Sequence, residues 1–118
     1  VGRTMPHNVE AEQGLLASCI LDSSEVLPLC MERALPPEAF YVSTHQIIYD
    51  ALVALYEKKT AADEILLAEE LSNRSQLDMV GGIPGINQIT DRIETTAHAS
   101  YFLDFYNKDA HFQFLFLN

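Results

Sequence analysis

Apolar residues recur at helical spacing along most of this chain, and that periodicity restricts its fold more than any other feature. In residues 44–58, for example, Ile48, Leu52 and Leu55 lie three or four positions apart, which places them on one face of a helix. We find no stretch in which apolar and polar residues alternate as they do in a half-buried strand. The sequence therefore predicts an all-α fold, a compact bundle of six or seven short helices.

Capping and turn residues set the expected helix boundaries. The predicted helices cover residues 9–21, 44–58 and 63–73, a short turn at 76–80, and segments that start near 24, 84 and 97. Residues suited to cap helix N-termini are Asn8, Ser24, Ser43 or Thr44, and Asp63. Pro28 would lie in the first turns of the second helix, where a missing N–H costs little, and Gly81-Gly82 would end the short turn with a left-handed C-cap.

A single core is expected where the apolar faces of these helices meet. We expect it to contain Leu15, Leu16, Ile20, Phe40, Tyr41, Ile48, Leu52, Leu55, Leu67, Leu71, Ile89 and Tyr101. Cys19 and Cys30 fall inside apolar stretches without CxxC or Cys/His ligand spacing, which favours buried thiols in a reducing cytoplasm.

Charge and length exclude several functional classes. Seven Lys and Arg residues against 17 Asp and Glu residues give a formal net charge of −10. Such a surface repels phosphate backbones, so direct nucleic-acid binding by this chain is not expected. No apolar run approaches the roughly 20 residues of a membrane helix, and no signal peptide is recognisable, so no membrane association is expected.

No motif in the sequence provides catalytic chemistry. The chain lacks GxxxxGK[ST], GxGxxG and GxSxG, and its four histidines form no HxxxH or HExxH pair. We therefore predict no catalytic, cofactor-binding or metal-binding residues in this chain. The less favoured alternative is a small helical enzyme that uses His45 with Glu38 or Asp50, whereas the favoured interpretation of His45 is a hydrogen-bonded packing residue.

The acidic pairs have structural interpretations. Glu10 and Glu12 are two positions apart, so they point to different faces of a helix and do not share a proton. Glu69 and Glu70 are most simply a solvated helix face. On its residues alone, the chain is an interaction module.

Residues 6–16, PHNVEAEQGLL, resemble the opening of the N-terminal domain of bacterial replicative DNA helicases of the DnaB family. Further pieces match that family in the same order: Phe40-Tyr41 with His45 and Ile48, the helix from Asp63 to Leu71, Val80-Gly81-Gly82, and Thr96-Ala97-His98-Ala99 with Tyr101. The resemblance covers about residues 3–106.

Three positions depart from the family pattern. Ala39 replaces an acid, and Leu66 replaces the usual Thr, which would shift the helix cap back to Asp63. Gly85 stands where the family has an aromatic residue, which would leave a gap for Ile83 or Ile86 to fill.

The resemblance implies a domain organisation. Residues 1–8 would be an N-terminal arm, residues 9–106 the helical N-terminal (collar) domain, and residues 107–118 an atypical tail. That tail contains Phe112, Phe114 and Phe116, breaks the amphipathic pattern, and is expected to be non-native or disordered. Our leading hypothesis for it is a frameshift, a partial gene or an artificial chain end.

The resemblance also implies a function. The parent protein would be a hexameric, ATP-driven helicase of the cytoplasm that unwinds DNA at the replication fork. Its N-terminal domain would form a collar with neighbouring subunits and help to dock primase, while ATP and Mg²⁺ would bind a C-terminal domain missing from this chain. Because the chain retains only the first part of the helical hairpin that pairs collars in the family, we expect weak or absent dimerisation of residues 1–118. The alternative is a stand-alone helical regulator that binds primase or helicase without unwinding.

Overall fold

The computed structural model describes residues 9–91, and these residues form helices and turns without any strand. The five α-helices are α1 (Val9–Leu21), α2 (Ser23–Glu32), α3 (Ser43–Glu57), α4 (Glu64–Asn73) and α5 (Gly82–Thr90). Two short 3-10 helices, Pro37–Ala39 and Asp78–Val80, lie in the connections. The predicted all-α class is therefore confirmed, while the helix predicted from about residue 97 lies outside the described residues.

Helix α1 is the central element because it is apolar around most of its circumference. It contacts α2, α3 and α5, while α4 packs against α3 and α5. Buried positions in α1 include Leu15, Leu16, Ala17 and Cys19, which point in all directions around the helix axis. Every residue of α1 from Leu15 to Ile20 is buried, so this part of the helix is enclosed by its neighbours, whereas Glu10 in the first turn is exposed.

The predicted core residues within 9–91 are buried, with one exception. Tyr41, expected inside, exposes 49% of its surface. The preceding residue, Phe40, is fully buried and has extended backbone, in which successive side chains point in opposite directions. Tyr49 of α3 supplies the second buried ring instead, with its centroid 4.9 Å from that of Phe40. Tyr101 lies outside the described residues.

The helix ends confirm some of the predicted caps and correct others. Asp63 caps α4, since its Oδ1 accepts a hydrogen bond from the Leu66 N–H at 2.8 Å. Gly81 has the predicted left-handed backbone, with φ of 91°. Pro28 is the sixth residue of α2, past the first turn, so its missing N–H removes a helical hydrogen bond.

The predicted caps at Ser24, Ser43 and Thr44 are wrong. Ser24 is the second residue of α2, and Ser43 and Thr44 are the first two of α3, whose N-cap position is Val42. Each of these helices thus starts slightly earlier than the sequence indicated. The predicted cap at Asn8 lies outside the described residues.

Gly85 has no room for a side chain, so the missing aromatic residue does not leave an empty side-chain position at this point. A Cβ built on Gly85 would collide with the carbonyl oxygen of Val80, so the chain approaches itself too closely here for any side chain. Ile86 is fully buried, while Ile83 exposes 55% of its surface and fills nothing.

Candidate functional site

A buried polar contact joins α1 to the start of α3. Glu12 of α1 is fully buried, and its Oε1 lies 2.7 Å from Nδ1 of the buried His45. The same carboxylate accepts the backbone N–H of Tyr41 at 2.8 Å and that of Val42 at 2.9 Å. One acid on α1 therefore binds both the chain leading into α3 and a side chain of its first turn.

The charge state of Glu12 follows from these contacts. Burial raises its pKa, but the hydrogen bonds from His45 and from the N–H groups of Val42 and Tyr41 outweigh burial and lower it. An ionised carboxylate only accepts hydrogen bonds, so His45 donates from Nδ1. The pair is therefore a charge-assisted hydrogen bond in the interior.

His45 is thus a hydrogen-bonded packing residue, as favoured from the sequence, with Glu12 as its carboxylate partner. Neither Glu38 nor Asp50, the acids of the enzyme alternative, is the carboxylate that binds His45. Glu38 is exposed on the 3-10 helix before α3, and Asp50 Oδ2 bonds Arg74 Nη1 at 2.9 Å. Glu10 is exposed, so Glu10 and Glu12 do lie on different faces.

The surface of the described residues includes two depressions that have both polar and apolar lining residues. The smaller, about 250 Å³, is lined by Val9, Gln13, Val42, Thr44, His45, Ile48, Val80, Gly85, Gln88 and Ile89. The larger, about 580 Å³, lies between the start of α2 and the end of α3 and is lined by Ser23, Ser24, Leu27, Pro28, Tyr56, Glu57, Lys59, Thr60, Ala61 and Ala62. Neither lining set combines a nucleophile, a base and an oxyanion donor in the way that catalysis requires.

Within residues 9–91, no group of His, Cys, Asp or Glu side chains is placed to hold a metal ion. In the same part of the chain, no helix is long and apolar enough to cross a membrane.

A second polar cluster connects α3 to α4. Glu70 bonds Lys58 Nζ at 3.1 Å and Arg74 Nε at 2.8 Å, and these two cations lower its pKa. Glu70 is 9% exposed and therefore does not belong to a solvated helix face, whereas the neighbouring Glu69 is exposed as expected. The prediction for Glu70 is wrong because the helix twist turns it towards α3.

Sequence reasoning missed the partners in both clusters. Glu12 and His45 are 33 positions apart, so no local spacing signals their contact. Glu70 and Arg74 are four positions apart on one helix, a spacing typical of an ion pair, and this signal was available.

The surface of the described residues displays several large apolar side chains. Those exposed are Val9, Leu21, Tyr41, Tyr56, Ile65, Met79 and Ile83, of which Ile65, at 79%, is the most exposed. Such side chains are common on proteins that contact other proteins, although single exposed apolar residues are also ordinary.

These features define a class: a small acidic α-helical domain built around an apolar core. The comparison with known families makes the class specific. Residues 4–106 match the family described as the DnaB-like helicase N-terminal domain. The chain belongs to that family.

Individual relatives agree with this assignment. The replicative DNA helicase DnaB of Treponema pallidum (strain Nichols) is 36% identical over 101 residues, and that of Rhodothermus marinus is 34% identical over 100 residues. These alignments cover 86% and 85% of this chain but only 23% and 10% of the relatives. The crystal structure of the N-terminal domain of DnaB helicase from Mycobacterium tuberculosis superposes with a TM-score of 0.78 at 33% identity, covering 84% of this chain and 67% of that one.

Proposed function

We propose that this chain is the assembly and interaction domain of a replicative DNA helicase, which helps to form the collar of a hexamer and to dock primase. The family match over residues 4–106 is the observation that carries the proposal. The parent protein would unwind DNA in the cytoplasm during replication. Its ATP and Mg²⁺ would bind a separate ATPase domain, since this chain has no phosphate-binding loop.

The described residues are suited to presenting a surface rather than performing a reaction. Glu12 joins α1 to α3 and Glu70 joins α3 to α4, so the helices are held in fixed relative positions. A fixed surface loses little conformational freedom when a partner binds, which favours affinity. The net charge of −10 disfavours direct contact with DNA, so the partners we propose are proteins.

The proposal is tested by presenting the purified chain to proteins from the same genome. Fluorescently labelled chain is titrated with primase, with the full-length replicative helicase and with a single-stranded oligonucleotide, and anisotropy is recorded. We expect saturable binding to primase, weaker binding to the helicase in keeping with the weak self-association expected from the sequence, and none to the oligonucleotide. Binding to neither protein would refute the proposal.

Two surface variants refine the test. Ile83→Ser and Tyr41→Ser each remove an exposed apolar side chain, the first at the start of α5 and the second before α3. Both variants should keep the helical circular dichroism of the wild type because neither side chain is buried. A loss of affinity in only one of them would locate the docking surface.

The stand-alone regulator predicts a different result in a functional assay. A regulator expressed as a separate protein inhibits priming or unwinding at its cellular concentration, whereas an assembly domain acts only as part of its helicase. Quantifying the chain in cells and adding that amount to a reconstituted priming reaction distinguishes the two functions.

A further inference from the structure

The two cysteines face each other across the contact between α1 and α2. Their Sγ atoms lie 3.7 Å apart, and both side chains are fully buried. Cys19 lies in the central helix and Cys30 in the last turns of α2. Two thiols already in contact need only a small rearrangement to reach bonding distance.

The surroundings make the two thiols unequal. The contact with Cys19 and the positive charge of Arg33 lower the pKa of Cys30, against the opposing effect of burial. The pKa of Cys19 is raised by its contact with Cys30 and by burial. The thiolate is the reactive form, and Cys30 lies on the helix that borders the larger depression, so we expect Cys30 to attack first.

We propose that Cys19 and Cys30 form a redox modification site, in which a peroxide converts the two thiols into a reversible disulfide between α1 and α2. The Cys30 thiolate attacks one peroxide oxygen, the O–O bond breaks, and a sulfenic acid forms with release of water or an alcohol. The Cys19 sulfur then displaces the sulfenic oxygen as a second water, and the S–S bond closes. Two thiols are oxidised and one peroxide is reduced, and a cellular dithiol restores the starting state.

Two features of helix α2 favour a local opening through which a small oxidant would reach the buried pair. It packs chiefly on α1, and Pro28, two residues before Cys30, removes one of its internal hydrogen bonds. The depression of about 580 Å³ reaches Leu27 and Pro28, on the turn preceding Cys30. A helix with one main neighbour and an interrupted ladder opens locally at lower cost than one buried on all sides.

The first experiment measures the intact mass of the oxidised chain and the number of its free thiols. The reduced 118-residue chain is treated with hydrogen peroxide, quenched, denatured and labelled with a maleimide, and its intact mass is measured. We expect loss of two hydrogen atoms, no maleimide on either cysteine, and full labelling of both after reduction. Retention of two free thiols, or added oxygen without loss of hydrogen, would overturn the proposal.

The single variants Cys19→Ala and Cys30→Ala serve as matched controls. Each keeps one thiol, so neither can lose two hydrogens within one chain. In Cys19→Ala the remaining Cys30 should form a sulfenic acid, which a dimedone-type reagent captures, and Cys30→Ala should give less of that adduct. Equal capture in both variants would contradict the assignment of Cys30 as the attacking sulfur.

A stability measurement shows whether the bond forms within the native fold. A cross-link between residues 19 and 30 closes a short loop and should lower the unfolding equilibrium constant by up to about a hundredfold, an effect that reduction reverses. The peroxide-treated single variants should show no such gain. A cross-link that lowers stability, or that joins two chains on a non-reducing gel, would mean that the pair is not a native disulfide site.

Discussion

The polar contact between α1 and α3 and the one between α3 and α4 differ mainly in their access to water. Between α1 and α3, Glu12 and His45 are almost completely buried. Between α3 and α4, Glu70 bonds Lys58, whose side chain is 61% exposed. In both contacts a carboxylate binds a nitrogen at hydrogen-bond distance.

Because the bond geometry is similar in the two contacts, we expect burial to determine how much each of them stabilises the fold. A surface ion pair replaces favourable contacts with water and is screened by salt, so its net contribution is small. Water does not reach a buried carboxylate. Removing it therefore leaves its hydrogen-bond donors buried without an acceptor, which is costly. The four predictions below test this difference, from the largest expected effect to the smallest.

Replacing Glu12 with alanine should have the largest effect. The substitution removes the acceptor of three hydrogen bonds, from His45, Tyr41 and Val42, and we expect a loss of about 3–5 kcal/mol in the free energy of unfolding. Chemical denaturation followed by circular dichroism measures it. Glu10→Ala, on the exposed side of the same helix, is the matched control and should change stability by less than about 0.5 kcal/mol. A loss below about 1 kcal/mol for Glu12→Ala would show that burial does not govern this contact.

A purely apolar substitution on α3 provides a comparison with the loss of the Glu12 carboxylate. Leu52 is fully buried, so Leu52→Ala should cost about 2–5 kcal/mol through lost burial and a residual cavity. Leu52→Met keeps most of the volume and should cost less than about 1.5 kcal/mol. The same denaturation assay applies, and a loss under about half a kilocalorie per mole for the alanine variant would mean that the α3 core face is wrongly assigned.

Acid should weaken the buried contact in a defined direction. The pKa of Glu12 is lowered in the folded chain, so its contribution to stability is present above its ordinary pKa of 4.5 and is lost as pH falls through the folded value. Below about pH 4.5, the wild type should lose up to about 1.4 kcal/mol per pH unit more than Glu12→Gln. Unfolding free energies measured from pH 7 to pH 3 test this. Parallel pH profiles for the two proteins would rule out Glu12 as the titrating group.

The contact between α3 and α4, in which the cations Lys58 and Arg74 remain in contact with water, should show the smallest effect. Glu70→Gln removes the charge that binds Lys58 and Arg74, and we expect a loss of about 0.2–1 kcal/mol at low salt that diminishes at high salt. Glu69→Gln, at the exposed neighbouring position, should be neutral. If Glu70→Gln lowered the free energy of unfolding as much as Glu12→Ala, burial would not explain the difference between the two contacts.

The parts of the fold that depend on neighbours in sequence were predictable. Residues 9–21 form α1 as predicted, Asp63 caps α4, and Gly81 takes the left-handed backbone. Each depends on contacts within about four positions, where spacing and residue type determine the outcome.

The parts that depend on contacts distant in sequence were not predictable. Tyr41 and Phe40 look equivalent in the sequence, but the extended backbone between the 3-10 helix and α3 sends one inwards and the other outwards. For the candidate site, the packing role of His45 was favoured from the sequence because it is the more common role for a lone histidine. Its partner Glu12, 33 positions away, became apparent only when α1 and α3 were placed side by side.

The close approach at Gly85 has a consequence for anyone seeking to stabilise this domain. A glycine inside an α-helix is ordinarily the first residue exchanged for alanine, because alanine favours the helix by about 1 kcal/mol. Here the added methyl group of Gly85→Ala would push α5 away from the carbonyl of Val80. Helix propensity favours the substitution, whereas the steric clash disfavours it. Protein engineers should therefore leave this glycine unchanged and make their alanine exchanges on solvent-facing helix positions.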